Sequence, residues 1–122
     1  MDNLKKTLVL GGSLKEHRYS NKAIRSLRSH GHEVVSIGNS KGRVGDVDIF
    51  KELKPFIDVD TITIYLSDRN QKPYYDYIFS LTPKRLIFNP GAENFELSQL
   101  AGHSNIEVLN ACTLVMLSLN QY

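Results

Sequence analysis

The feature that most constrains the fold of this chain is a short apolar run that ends at a pair of glycines. Residues 7–10 are β-branched or aliphatic, Gly11, Gly12 and Ser13 follow, and an amphipathic helical pattern begins near Ser20. A strand that passes through glycines into a helix is typical of the first βαβ unit of a parallel sheet. Glycine lets a ligand approach the backbone, and the amino terminus of the next helix favours negative charge. The stretch therefore predicts a parallel sheet with a phosphate site at its edge.

The size and charge of the chain limit the classes of protein to consider. Its 122 residues predict one domain over residues 1–122, and its net charge of +2 gives no electrostatic argument for nucleic acid binding. The single cysteine, Cys112, excludes an intrachain disulfide and favours a reducing compartment. The apolar run after Lys6 is too short for a signal peptide, and no run is long enough to cross a bilayer. We therefore expect a cytoplasmic protein that binds neither nucleic acid nor a membrane.

Strand and helix patterns alternate from the glycine pair to the end of the chain. Further strands are predicted at residues 33–37, 61–66, 85–88 and 106–109. Helices are predicted at residues 20–30, 73–81 and 94–101, with a short buried helix at 111–119. Helix caps are predicted at Gly31 and Gly102, polar loops at residues 38–45 and 67–72, and a weak helix or turn at 48–56. The chain is thus predicted to be a three-layer, Rossmann-like α/β domain with a five-stranded, mostly parallel sheet and helices on both faces.

Candidate ligand residues lie in the loops after the predicted strands, because parallel α/β sheets bind ligands at the carboxyl ends of their strands. Gly11 and Gly12 lack the third glycine of the dinucleotide fingerprint, so by themselves they fit a tight turn as well as a ligand site. Hydrogen-bond donors beside the predicted helix favour phosphate binding. The candidates in this first loop are Gly11, Gly12, Ser13, Arg18, Tyr19, Ser20 and Asn21.

The loop after the second predicted strand discriminates between nucleotides. Proteins that bind the free ribose hydroxyls of NAD usually have Asp or Glu about 20 residues beyond the glycines, whereas this loop contains Asn39, Lys41 and Arg43. Two cations suit a nucleotide with an additional ribose phosphate, as in NADP and coenzyme A. A solvated basic loop is the alternative interpretation of either cation.

Two further loops and the last segment supply smaller candidates. Ser67 follows the third strand, and Asn89, Gly91 and Ala92 follow the fourth, where Pro90 is expected to serve the turn alone. Apart from His17, which the predicted strand order brings only loosely near, no histidine is placed as a base for Cys112, which is therefore predicted to be a buried apolar thiol rather than a nucleophile. The apolar residues around Met116 leave a subunit contact open. No carboxylate pair, metal cluster or catalytic triad is apparent, which favours binding over catalysis.

Several segments together resemble the small single-domain CoA-binding proteins, which are similar to the amino-terminal CoA-binding domain of the succinyl-CoA synthetase alpha subunit. They are Leu8-Val9-Leu10-Gly11-Gly12-Ser13, Arg18-Tyr19-Ser20, His30-Gly31-His32-Glu33-Val34-Val35, Ile87-Phe88-Asn89-Pro90-Gly91-Ala92-Glu93-Asn94 and Ala111-Cys112-Thr113-Leu114-Val115. The resemblance covers nearly the whole chain, and its asparagine-proline-glycine and cysteine-threonine segments are the most specific.

The resemblance implies a five-stranded Rossmann-like domain that binds coenzyme A. The diphosphate would lie over residues 11–13 and 18–21, the loop with Lys41 and Arg43 near the adenosine, and the pantetheine arm along residues 89–92 and Cys112. Relatives often have an asparagine-proline-lysine turn after the second strand, and Ser40 replaces that proline here. The phosphorylated histidine and the ligase domain of the synthetase have no counterpart, so the resemblance implies no succinyl-CoA chemistry.

Three hypotheses follow. The first is a non-catalytic protein that binds coenzyme A or an acyl-CoA, with a regulatory role or delivery to a protein partner, and with homodimerisation left open. The second is an NADP-linked oxidoreductase, although the loops offer no convincing acid or base for hydride transfer. The third is a structural domain with a vestigial crevice. Binding of coenzyme A, of NADP or of neither separates them.

Overall fold

The computed structural model describes residues 3–122 as strands alternating with helices. The strands are β1 (Thr7–Gly12), β2 (Val34–Gly38), β3 (Gly42–Val44), β4 (Val47–Phe50), β5 (Thr61–Ile64), β6 (Arg85–Phe88) and β7 (Glu107–Asn110). The helices are α1 (Tyr19–Ser29), α2 (Asp68–Gln71), α3 (Tyr75–Ser80), α4 (Phe95–His103) and α5 (Thr113–Ser118), with a short 3₁₀ turn at Lys72–Tyr74. No helix within these residues has the length and apolar character needed to span a membrane.

One sheet of seven strands organises the domain, in the order β3-β4-β2-β1-β5-β6-β7. Strand β1 lies at its centre, where Thr7 pairs with Val34 of β2 and with Thr61 of β5, both in parallel register. The other pairings are also parallel, except that between β3 and β4. The predicted Rossmann-like α/β fold with a mainly parallel sheet is therefore confirmed.

The predicted number of five strands is wrong because residues 42–50 form a hairpin at one edge of the sheet. Strand β4 pairs in parallel with β2, and β3 folds back on β4 through a turn at Gly45, whose φ is +60°. Val47 and Ile49 are buried while the intervening Asp48 is exposed, which is the alternation of a half-buried strand. The polar loop predicted at 38–45 and the weak helix at 48–56 were thus wrong over these residues.

Helices cover both faces of the sheet because side chains of β1 alternate between two hydrophobic clusters. Leu8 and Leu10 pack in a cluster with Ile78 of α3 and Leu97 of α4. Val9 packs on the opposite face, in a cluster with residues of α1 and α5, namely Ile24, Leu27 and Leu117. The burial of both faces explains why β1, β5 and β6 are almost continuously apolar or β-branched.

The helix boundaries correct three details. Gly31 ends α1 with φ +89° as predicted, but Gly102 lies inside α4, and Asn105 supplies the left-handed residue after that helix. Part of the loop predicted at 67–72 is helix α2. Helix α5 forms within the predicted segment but buries only one face, since Val115 is 51% exposed.

Tyr122 packs against the edge of the sheet that is formed by the amino ends of the strands. Its ring stacks over the guanidinium of Arg85 at 4.5 Å and meets the ring of His32 edge-on at 4.9 Å. Its hydroxyl forms a 2.6 Å hydrogen bond with the hydroxyl of Thr7. Ligand-binding loops of parallel sheets lie at the opposite edge, so this cluster serves stability.

Candidate functional site

A cavity of about 650 Å³ opens at the carboxyl ends of the central strands. We call it the rim cavity, and its walls come from four places in the sequence: the β1–α1 loop, the residues after β2, the residues after β5 and the residue after Asn89. The lining residues are Gly11, Gly12, Ser13, Leu14, Lys15, Arg18, Tyr19, Ser20, Asn39, Ser40, Tyr65, Leu66 and Pro90.

Local packing explains both glycines of the pair. Gly11 has a φ of +95°, and a Cβ atom there would also lie 3.1 Å from the side chain of Leu66. Gly12 is extended, but a Cβ atom there would lie 2.1 Å from Ser36 Oγ, which donates a hydrogen bond to Val9 O. The turn and the packing of β1 against β2 therefore require glycine at these positions before any ligand is considered.

The start of α1 carries positive electrostatic potential into the rim cavity. Arg18 is the N-cap residue of α1 and makes no side-chain capping bond, and the first turn of the helix contains no acidic side chain. Lys15 and Arg18 are exposed, and neither takes part in an ion pair within residues 3–122. Unpaired cations beside the free amides of a helix amino terminus form a favourable environment for phosphate.

Asn21 holds the β1–α1 loop rather than lining the cavity. It is 2% exposed, and its Nδ2 donates to Ser13 O over 2.9 Å. Its Oδ1 accepts from Arg25 Nε over 2.7 Å, and Arg25 Nη2 also donates to Glu16 O. The loop is thus anchored to the helix that follows it.

Of the residues that follow β2, the two polar residues line the rim cavity and the two cations do not. Asn39 lines the rim cavity together with Ser40, whereas Lys41 and Arg43 do not line it. Arg43 Nε donates to Asp48 Oδ1 over 3.0 Å along the β3–β4 hairpin. The loop therefore turns away from the cavity immediately after Ser40.

The asparagine after β6 bonds within the protein. Asn89 is 2% exposed, its Nδ2 donates to Thr63 Oγ1 and to Ile64 O, and its Oδ1 accepts from the backbone amide of Thr113. Both polar atoms of its side chain are therefore occupied. The adjacent Pro90, expected to serve only the turn, lines the cavity instead.

The remaining sequence candidates lie outside the cavity lining. Ser67 is half-buried and accepts from Asn70 Nδ2, Gly91 is exposed, and Ala92 is buried. Cys112 is half-buried at the N-cap of α5. Sequence analysis missed Leu14, Lys15, Ser40, Tyr65, Leu66 and Pro90. Each of them lies within two residues of a candidate.

The side of the cavity away from β2 is formed by Tyr65, Leu66 and Pro90, which we call the apolar wall. The hydroxyl of Tyr65 is buried and has no hydrogen-bond partner within residues 3–122. Burial raises the pKa of Tyr65 well above its usual value, and the nearby hydroxyls of Thr113 and Thr63 offset only part of this effect. Tyr65 is therefore a neutral phenol at physiological pH.

Comparisons with known proteins give a family and several structural neighbours. A family model described as a CoA binding domain matches residues 5–118. A crystal structure described as that of an uncharacterized protein superimposes with a TM-score of 0.96 at 45% identity, covering 99% of this chain and 100% of that chain. A comparison with the curated proteins finds no match.

More distant structures share the fold. A hypothetical protein from Pyrococcus horikoshii OT3 has a TM-score of 0.82 at 19% identity, covering 93% of this chain and 81% of that chain. A dinucleotide-forming acetyl-coenzyme A synthetase from Ca. Korarchaeum cryptofilum, in complex with phosphate and ADP, has a TM-score of 0.69 at 18% identity. That match covers 88% of this chain and 25% of the synthetase chain. These two likenesses show the architecture alone.

Proposed function

The chain belongs to the CoA binding domain family, and from that premise we propose that it binds coenzyme A or an acyl-CoA in the rim cavity without catalysing a reaction. One observation carries the proposal. Among residues 3–122, the amino terminus of α1 has no side-chain cap and lies beside Lys15 and Arg18, which form no ion pair there, at a cavity large enough for a nucleotide.

The diphosphate of the ligand is assigned to the β1–α1 loop. Gly11, Gly12 and Ser13 present backbone there, and Ser20 is buried in the first turn of α1. The guanidinium of Arg18 can bond two phosphate oxygens at once, which strengthens such contacts. Negative charge at this position would also be stabilised by the dipole of the eleven-residue helix α1.

The two ends of the ligand are assigned to opposite sides of this loop. Asn39 and Ser40 lie on the β2 side and supply polar atoms for the adenosine, and the exposed Lys41, next in the chain, supplies a cation for its ribose phosphate, whereas Arg43 is paired with Asp48. The apolar wall lies on the β5 and β6 side and suits the pantetheine arm, which would continue towards Gly91, Ala92 and Cys112. The strand order β2-β1-β5-β6 supports this direction of the ligand, because it places the β1–α1 loop between the β2 side and the β5 and β6 side.

Binding without catalysis is supported by the side chains around the cavity. Within residues 3–122, its lining includes no carboxylate, imidazole or thiol. General acid–base or nucleophilic catalysis near neutral pH usually depends on one of these groups. The lining residues also offer no carboxylate or imidazole as the acid or base for hydride transfer, so NADP serves as the competing ligand in the test below.

Isothermal titration calorimetry with coenzyme A and NADP tests the proposal. The unmodified protein should bind coenzyme A more tightly than NADP, and Arg18→Ala should weaken binding about tenfold or more, since hydrogen bonds to charged groups contribute about 1.5–3 kcal/mol. Lys84→Ala is the control, because it removes one exposed positive charge just before β6, at the opposite edge of the sheet. Absence of coenzyme A binding at millimolar concentration would refute the proposal, and an unchanged affinity in Arg18→Ala would remove Arg18 from the phosphate site.

A further inference from the structure

A fully buried glutamine joins two segments that carry the apolar wall. Gln71, the last residue of α2, has 0% exposure, and its Nε2 donates to Leu66 O over 2.8 Å and to Ala92 O over 2.7 Å. Its Oε1 accepts from Asn94 Nδ2 over 2.9 Å. Both donors of the amide are used, and they connect the residues after β5 to the turn after β6.

Asn89 joins the same parts of the chain a second time. Its Nδ2 donates to Thr63 Oγ1 over 2.7 Å and to Ile64 O over 3.0 Å, and Ala92 N donates to Asn89 O over 2.8 Å. Pro90 lies between the two anchored positions, residues 89 and 92. Its distance from Leu66 is therefore fixed by one buried amide on each side.

Asn94 sets the orientation of the Gln71 amide. Asn94 Nδ2 donates to Gln71 Oε1 and to the hydroxyl of Tyr75, while its Oδ1 caps α4 by accepting from Leu97 N. If the Gln71 amide were reversed, its NH₂ group would face the NH₂ group of Asn94. Its oxygen would then face the carbonyl oxygens of Leu66 and Ala92, with no hydrogen to share. One orientation alone satisfies all partners in this buried setting.

We infer that Gln71 is a positioning residue for the pantetheine arm of the ligand. This inference rests on the function proposed above. Gln71 does not line the rim cavity, and it acts through Leu66 and Pro90, whose separation it sets. The β1–α1 loop, to which the diphosphate is assigned, is held by other side chains, those of Asn21 and Arg25. Gln71 therefore governs the affinity for the pantetheine arm and leaves the affinity for the phosphorylated adenosine unchanged.

The test compares Gln71→Met with Gln99→Met, a matched substitution at an exposed position of α4. Methionine has a similar size and flexibility but cannot donate to Leu66 O and Ala92 O, and the carbonyl group of the buried Ala92 loses this partner. Calorimetry measures the affinities for coenzyme A and for its fragment with the phosphorylated adenosine and diphosphate but no pantetheine arm. Gln71→Met should bind coenzyme A about tenfold more weakly, with the fragment changed less than about twofold.

The ratio of the two affinities is the decisive measurement, because a general loss of stability would weaken both ligands together. Asn94→Asp provides a second variant if Gln71→Met folds poorly, since it keeps an oxygen to cap α4 and removes the donor to Gln71 Oε1. It should change the ratio in the same direction. An unchanged ratio in folded variants would overturn this assignment alone, whereas failure of the unmodified protein to bind coenzyme A would overturn the proposed function and the assignment with it.

Discussion

Replacing Gly12 with alanine separates two explanations for this glycine, close packing within the sheet and close approach of a ligand. Gly12 lines the rim cavity, yet it lies in the extended strand β1 and needs no left-handed conformation. A Cβ atom at this position would lie 2.1 Å from Ser36 Oγ but 3.4 Å from Ser36 Cβ. The severe overlap is therefore with a single hydroxyl oxygen.

The expected loss of stability follows from the hydrogen bond that this hydroxyl makes. Ser36 is fully buried, and its Oγ donates to Val9 O over 2.8 Å. To admit the new methyl group, Ser36 must rotate and lose that bond, which costs about 1–3 kcal/mol. Alanine also reduces the conformational entropy of the unfolded chain, which offsets about 0.4–1 kcal/mol of this loss. The free energy of unfolding should fall by about 1–2 kcal/mol, and Tm by about 3–8 °C.

The double variant Gly12→Ala/Ser36→Ala provides the control, because it removes the oxygen that the methyl group would overlap. Urea unfolding and calorimetry with coenzyme A are measured for both single variants and the double variant. If packing alone requires Gly12, the double variant should match Ser36→Ala in stability and in affinity. Restored stability with lost binding would show that the ligand itself requires glycine. Full stability of Gly12→Ala alone, or additive losses in the double variant, would refute the packing explanation.

Two further predictions concern the edge of the sheet that carries Tyr122. Tyr122→Phe should lower the free energy of unfolding by about 1 kcal/mol through loss of the bond to Thr7, as measured in urea, and a change in coenzyme A affinity would contradict the assignment of this cluster to stability. Burial, together with the charges of Lys5 and His30, lowers the pKa of His32 in the folded protein. As pH falls, His32 is therefore protonated in the unfolded chain before it is protonated in the folded protein. Stability should therefore decrease from neutral pH towards about pH 5, and a His32→Gln variant with the same pH dependence would refute this cause.

The central strands could be predicted from the sequence because their burial leaves a local signal. Strand β6 has the predicted bounds, and β1 coincides with the apolar run and its glycines. The β3–β4 hairpin gives no comparable signal, since β3 has three residues and β4 has four. Its two aspartates, Asp46 and Asp48, make the segment look like a solvated loop. The hairpin is buried by the pairing of β4 with β2 and by the packing of Val47 and Ile49 in a cluster with Ile24 of α1, and these contacts join distant residues.

The candidate site could be predicted where position in the strand–loop–helix unit decides it. The β1–α1 loop, with Gly11 and Arg18, lies at the cavity for that reason. Asn89 has the polarity of a ligand contact, but the sequence does not show that Thr63, Ile64 and Thr113 already occupy its amide. Gln71 was missed for the corresponding reason, because the partners that give it a role are distant in sequence or are main-chain carbonyl groups.

The hydrogen bond from Asn21 to Ser13 O means that the β1–α1 loop has its shape before any ligand arrives. Arg25 reinforces that shape through Asn21 and Glu16, and all of these partners belong to one contiguous stretch of chain. A preorganised loop loses little conformational entropy on association, so more of the electrostatic attraction becomes affinity. The loop should also recover this shape early during refolding, since local contacts close faster than the pairing of distant strands.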